Sequence, residues 1–183
     1  MRNLTVVALP NPKDPEFLEI FGPALQHDHV TVYGGEEAKA KNVEPNALGV
    51  YWGTPHADVK SALDDFPTIE WVQLPSAGIE KYQEAMTAHP TKVWTTAKGA
   101  FAKPVGEHTL MLTLALLRLL PERLRAKTWG KPDGTSLHGL NVLITGAGGV
   151  SLEIMRLFRA FDVNITIVRR HGQDVPGADR TVA

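Results

Sequence analysis

The stretch Leu140-Asn141-Val142-Leu143-Ile144-Thr145-Gly146-Ala147-Gly148-Gly149-Val150-Ser151 decides how this 183-residue chain is read. A β-branched apolar run ends in a glycine-rich turn. Beyond it, apolar residues fall at helical spacing to about residue 161, and a second β-rich run covers residues 164–168. A turn of this kind offers backbone N–H donors and the positive end of a helix dipole, which is what a dinucleotide pyrophosphate requires. Gly146 supplies the tight turn, and Gly148 lets the backbone approach the phosphates with no Cβ in the way. Ser151 takes the third place of the fingerprint, where Gly or Ala is usual, and its hydroxymethyl would hold the helix slightly farther from the strand. Ala147, Gly149 and Val150 complete the candidate cofactor cradle. The glycines alone also fit an ordinary βα turn; the strand before and the helix after favour the dinucleotide.

The end of the second strand normally carries the group that selects the ribose. Here that place falls at Arg169, with Arg170 beside it. An arginine cannot accept a hydrogen bond from a ribose 2′-OH, but it can pair bidentately with a 2′-phosphate. The two arginines therefore favour NADP over NAD, the alternative being that both are solvated loop residues. The tail from His171 is rich in Gly, Pro and Asp without periodicity, and reads as loop or disorder.

Upstream, short β-branched runs alternate with helical stretches. Strands are expected over residues 4–9, 29–33, 47–52, 69–74 and 92–96, and helices over residues 15–25, 58–66 and 78–88. Alternation at this spacing predicts a parallel, doubly wound α/β sheet. A longer helix is expected over residues 105–127, with Pro104 acceptable in its first turn and Pro121 kinking or splitting it. The polar run Trp129-Gly130-Lys131-Pro132-Asp133-Gly134 reads as a turn region and a candidate boundary between units.

Composition narrows the function classes. The formal net charge is −1, so no global field argues for nucleic acid or an anionic membrane. There is no cysteine, which excludes disulfides, thiolate metal sites and a cysteine nucleophile, and suits a reducing compartment. The apolar part of the N-terminus is too short for a signal-peptide core. The longest apolar tract, residues 110–120, is broken by Thr113 and Arg118 and is well short of a membrane span; it reads as a buried helix. A cytoplasmic protein is expected. His27, His29, His56, His89, His138 and His171 show no ligand spacing, so no metal site is expected.

Three segments together resemble the D-isomer-specific 2-hydroxyacid dehydrogenases, a family that includes glyoxylate/hydroxypyruvate reductases and phosphoglycerate dehydrogenases. They are Trp71-Val72-Gln73-Leu74-Pro75-Ser76-Ala77-Gly78-Ile79-Glu80, then Gly99-Ala100-Phe101-Ala102-Lys103-Pro104-Val105-Gly106-Glu107-His108, then Leu137-His138-Gly139-Leu140-Asn141-Val142 running into the glycine turn. They stand in the family's order over most of residues 45–170, with Gly106 where Ala is commoner. The resemblance implies a flavodoxin-like substrate domain over residues 1–100. It places the interdomain helix and the first βαβ of a Rossmann domain over residues 101–183. It makes Ser76, Ala77 and Gly78 the loop whose amides hold the substrate carboxylate. Trp52-Gly53, ending another strand at the same sheet edge, joins that site, or Trp52 is simply packed. The activity implied is NAD(P)-dependent hydride transfer between a D-2-hydroxy acid and a 2-keto acid, in a homodimer with its contact near the long helix. Glu107 and His108 fall at a helix start and are read as capping or packing residues, not as an acid–base pair.

The family's catalytic Arg, Glu and His stand well beyond the second Rossmann strand, and no residue here matches them; no catalytic residue is assigned. Two strands and one helix also make a marginal unit, with residues 164–168 or their neighbour as an open edge. A fragment of a longer enzyme is the favoured account. A short non-catalytic binding or dimerisation module, or a sheet completed by a second chain, are the alternatives.

Overall fold

The structure, a computed structural model, describes residues 3–9 and 29–183. The helix expected over residues 15–25 lies outside the described residues. The chain divides into two compact units, Met1–Lys98 and Gly99–Ala183.

The first unit is a five-stranded parallel sheet in the order β2-β1-β3-β4-β5. Its strands are β1 (Leu4–Leu9), β2 (Val30–Gly34), β3 (Ala47–Val50), β4 (Trp71–Gln73) and β5 (Val93–Thr95). Helices α1 (Gly35–Ala40), α2 (His56–Asp65) and α3 (Gln83–Ala88) join them, with a 3-10 turn at Glu80–Tyr82. This is the flavodoxin-like order, in which ligands gather outside the carboxyl ends of the strands. The core is cut from sheet and helix together. Val7, Leu48 and Val72 of the sheet meet Val59, Ala62, Leu63 and Phe66, the last four spaced as one helical stripe. Each full burial of such a side chain contributes roughly 1.5–3 kcal/mol.

Two strands are shorter than their apolar runs. β4 covers only Trp71–Gln73, yet Ile69 and Leu74 at its ends are fully buried. Burial, not pairing, set the length of that run. β3 stops at Val50 because Thr54 turns the chain away: its hydroxyl reaches Leu9 O at 3.0 Å and Tyr51 O at 2.9 Å. The stretch expected as helix from residue 78 begins instead with the 3-10 turn at Glu80.

The second unit holds α4 (Ala102–Leu117), α5 (Leu120–Arg125), β6 (Asn141–Thr145), α6 (Gly149–Phe158), a 3-10 turn at Arg159–Phe161, β7 (Asn164–Val168) and β8 (Arg180–Val182). The expected long helix is split, as Pro121 requires. Leu119 adopts a left-handed conformation with φ 54° and Pro121 sits in the first turn of α5. A proline there cannot donate to the carbonyl four residues back, and Leu117 O instead accepts from Thr135 N at 2.8 Å.

Five expectations are corrected here. The polar run at 129–134 is not a boundary, since it lies inside the second unit. The Arg123 guanidinium ties it to α5 by donating to the carbonyls of Trp129, Lys131 and Asp133. The tail after His171 is not loop throughout: β8 pairs in parallel with β7. The unit therefore has three strands, not two, and β7 is its centre rather than an open edge. Finally, α4 is not a buried helix, for Met111, Leu112 and Leu116 are exposed. Glu107 and His108 do not cap it either, because it starts at Ala102 and both lie beyond the first turn.

The core of the second unit gathers Ile144, Met155, Phe158, Ile165 and Ile167. Among the described residues, no helix is long and apolar enough to cross a membrane.

Candidate functional site

Each unit carries a candidate site at the carboxyl ends of its strands. In the second unit it is the turn between β6 and α6. Gly146 has φ +89°, which costs a residue with a Cβ on the order of 1–2 kcal/mol. Its N–H donates to Val168 O at 2.7 Å, so the turn is latched to the end of β7. No acceptor is present among the described residues for the N–H groups of Ala147 and Gly148, nor for those of Gly149, Val150 and Ser151 in the first turn of α6. Five free donors thus stand at the positive end of a ten-residue helix, the arrangement that binds phosphate.

A Cβ built on Gly148 would meet nothing within 4 Å. The space it would enter is open, which is the cradle a closely approaching pyrophosphate needs. Ser151 is buried, and its Oγ stands 3.8 Å from where a Cβ on Gly146 would be. The hydroxymethyl thus packs under the turn.

Gly146, Ala147, Arg169, Arg170 and His171 line a shallow cleft of about 620 Å³ beside this turn. The register of β7 against β8 brings the arginines there. Arg169 N donates to Val182 O at 2.9 Å, and neither guanidinium has an ion-pair partner among the described residues. His171, which follows Arg170 in the chain, lines the same cleft.

In the first unit, a cleft of about 730 Å³ brings Trp52 and Gly53, beyond β3, together with Ser76 and Gly78, beyond β4. Trp52 is not packed in the core; it is 54% exposed. Gly53 turns the chain with φ +87°. The Ser76 hydroxyl donates to Gly78 O at 2.8 Å, which closes the loop on itself. The N–H groups of Ala77, Gly78 and Ile79 have no acceptor among the described residues. Unlike the turn after β6, this one leads into a three-residue 3-10 turn and a short helix, so the donors act with little helix dipole behind them.

The cleft also holds residues the sequence did not single out: His56, Glu80, Lys81 and Tyr82. The His56 and Tyr82 rings meet edge-on with centroids 5.2 Å apart. Burial pushes the Tyr82 hydroxyl above its usual range, so it stays neutral. Among the described residues no group of His, Asp and Glu side chains is placed to hold a metal ion.

No family model matches the chain. An uncharacterised protein in the proB 3′ region of Corynebacterium melassecola is 32% identical to it over 126 residues, 65% of this chain and 41% of that protein. Among solved structures, a D-isomer specific 2-hydroxyacid dehydrogenase family protein from Aeromonas salmonicida subsp. salmonicida A449 matches with a TM-score of 0.72 at 21% identity, over 99% of this chain and 57% of that one. An acyclic imino acid reductase, Bsp5, in complex with NADPH and D-Arg, matches with a TM-score of 0.66 at 12% identity, over 99% of this chain and 60% of that one. The chain has the α/β fold of the D-isomer-specific 2-hydroxyacid dehydrogenases, of whose structures it spans somewhat over half the length.

Proposed function

We propose that this chain is the substrate-binding and cofactor-docking portion of an NAD(P)-dependent oxidoreductase that interconverts D-2-hydroxy acids and 2-keto acids. The observation that carries the reading is the free donor array from Ala147 to Ser151, opening into unfilled space at Gly148. The residues present fit a nicotinamide dinucleotide: the turn would hold the pyrophosphate, and Arg169 and Arg170 would stand by the ribose. Bound there, the dinucleotide supplies or accepts the hydride at nicotinamide C4. Ala77, Gly78 and Ile79 would orient the acid by donating to its carboxylate, with Trp52 and Gly53 forming the facing wall. No catalytic residue is assigned within these residues.

NADP is the favoured form, because two unpaired guanidinium groups at the strand end favour a 2′-phosphate and offer a ribose hydroxyl no acceptor. A homodimer is supported by the exposed apolar row Met111, Leu112, Leu116, Leu120 and Leu124 along α4 and α5, which a second copy would cover. A soluble protein of the cytoplasm, with no nucleic-acid or membrane partner, suits the near-neutral charge. The alternative of a non-catalytic dinucleotide-binding or dimerisation module rests on the same cradle. Fluorescence titration of the chain with NADPH and NADH tests the reading. Binding of NADPH in preference to NADH is expected; no binding of either removes the cofactor reading, and equal or tighter NADH binding removes the NADP preference. NADPH oxidation with glyoxylate or hydroxypyruvate separates enzyme from module.

A further inference from the structure

We propose that Glu80 is a specificity-determining residue of the first unit's cleft, an anionic gate that weakens the binding of carboxylates at the amides of Ala77, Gly78 and Ile79. The inference rests on the reading of that loop as the substrate carboxylate site. A Cβ on Gly78 would stand 2.7 Å from Glu80 Oε2. The carboxylate is therefore packed against the Gly78 backbone, in room that exists because residue 78 is glycine. It lines the same cleft as Ser76 and Trp52.

No cation among the described residues pairs with it. Glu80 has no ion pair or side-chain hydrogen bond among the described residues. Lys81, its neighbour in the same cleft, is not ion-paired with it. His56 meets the ring of Tyr82, and Tyr82 is neutral. Among the described residues the amides of Ala77, Gly78 and Ile79 make no hydrogen bond to the Glu80 carboxylate either. A carboxylate arriving on these amides would therefore meet a second negative charge a few ångström away, and Glu80 must swing aside or be repelled. In a solvent-exposed cleft such a like-charge contact weakens binding about five-fold. The gate leaves neutral ligands untouched, so it selects on charge and disfavours acids with a second anionic group.

The test uses the full chain, labelled with nitrogen-15, and follows its amide resonances while glycolate or neutral glycolamide is added. Glu80→Gln keeps the shape and removes the charge; Glu80→Lys reverses it. The amides of Ala77, Gly78 and Ile79 should respond to glycolate about five-fold more tightly in E80Q, and more tightly still in E80K, with glycolamide affinity unchanged. Equal glycolate affinity in all three proteins overturns the gate and leaves the loop reading standing. Equal tightening towards glycolate and glycolamide overturns the charge argument in favour of simple crowding. If none of the three proteins binds glycolate at these amides, the carboxylate-site reading itself falls and the gate with it.

Discussion

The turn after β4 and the turn after β6 are built from the same parts and equipped for different work. Both leave a row of backbone N–H groups without acceptors at the carboxyl end of a parallel strand. Behind the second stands a ten-residue helix; behind the first, a 3-10 turn and a six-residue helix. The second is rimmed by Arg169 and Arg170, the first by Glu80 pressed on Gly78. An array with a dipole and two cations suits a multiply charged phosphate ligand that stays bound. An array with a carboxylate beside it suits a small acid that must come and go. On the proposed reading, the turn backbone would supply generic anion affinity, while the following element and the rim side chains would set its strength.

The comparison breaks most visibly at Gly148. Its φ is −85°, a value any residue adopts, and a Cβ there meets nothing within 4 Å. Gly148→Val should therefore fold as the parent does, by circular dichroism and thermal melting. Its side chain fills the space the phosphates need, so NADPH affinity should fall on the order of a hundred-fold. A valine variant that binds NADPH undiminished would remove the cradle from this turn. The rim is the next test. Replacing Arg169 and Arg170 together by alanine should lower NADPH affinity about thirty-fold, by loss of charge-assisted hydrogen bonds, and leave NADH affinity unchanged. Parallel losses for both nucleotides would show that the arginines act on the shared part of the cofactor.

Much of this was legible in the sequence, and the rest hid for identifiable reasons. The strand expected over residues 164–168 is β7, Asn164–Val168, because five alternating and β-branched residues bounded by turns leave little choice. The parallel, doubly wound sheet is legible because β-branched runs recur at βαβ spacing, whereas the flavodoxin-like domain follows from the family resemblance and the Rossmann turn from its glycines. β8 was not, for Arg180-Thr181-Val182 is too short and too polar to carry a period. It exists through partners far away in sequence. Asp179 accepts from Ile165 N at 2.6 Å and from Arg159 Nη1 at 3.0 Å, Arg159 also donates to Val163 O and Gly177 O, and Val175 is buried beneath. Glu80 is hidden for a similar reason: its carboxylate lies back on Gly78 only once the loop is folded.

The clamp at Asp179 makes the second unit's site depend on pH. Two donors, Ile165 N–H first and then the Arg159 guanidinium, hold the Asp179 carboxyl below its usual range. A depressed folded-state value means the clamp contributes fully above the unfolded carboxylate range near about pH 4, and is lost as pH falls through the folded value. Asp179→Asn should lower the melting temperature at neutral pH, and the gap to the parent should close on acidification. It should also loosen the rim, since Arg169 N is paired to Val182 O of β8. NADPH affinity should fall with it, while glycolate binding at Ala77–Ile79 stays as it was. A gap that stays constant down to acid pH would show that Asp179 acts by shape alone.

The smallest expected effect sharpens the contrast between glycines kept for a ligand and glycines kept for packing. Gly106 lies in α4, where a Cβ would stand 2.8 Å from Glu153 Cγ and 3.4 Å from Leu157 Cδ1 of α6. The helices cross there closely enough that alanine, the commoner residue at this place in the family resembled, is not accommodated without movement. Glu153 is also not free to move away: its carboxylate pairs with Arg156 at 2.7 Å, which holds it below its usual range. Gly106→Ala gains about 1 kcal/mol of helix propensity and loses about 1–3 kcal/mol to overpacking, so a net loss of about 1 kcal/mol is expected by urea denaturation. Because α6 carries the amides proposed to bind phosphate at its other end, the same substitution should leave NADPH affinity within about two-fold if α6 shifts as a rigid rod along its axis. A larger loss of affinity with an unchanged denaturation midpoint would mean that the α4–α6 crossing aims the cradle, and that Gly106 belongs with the ligand glycines after all.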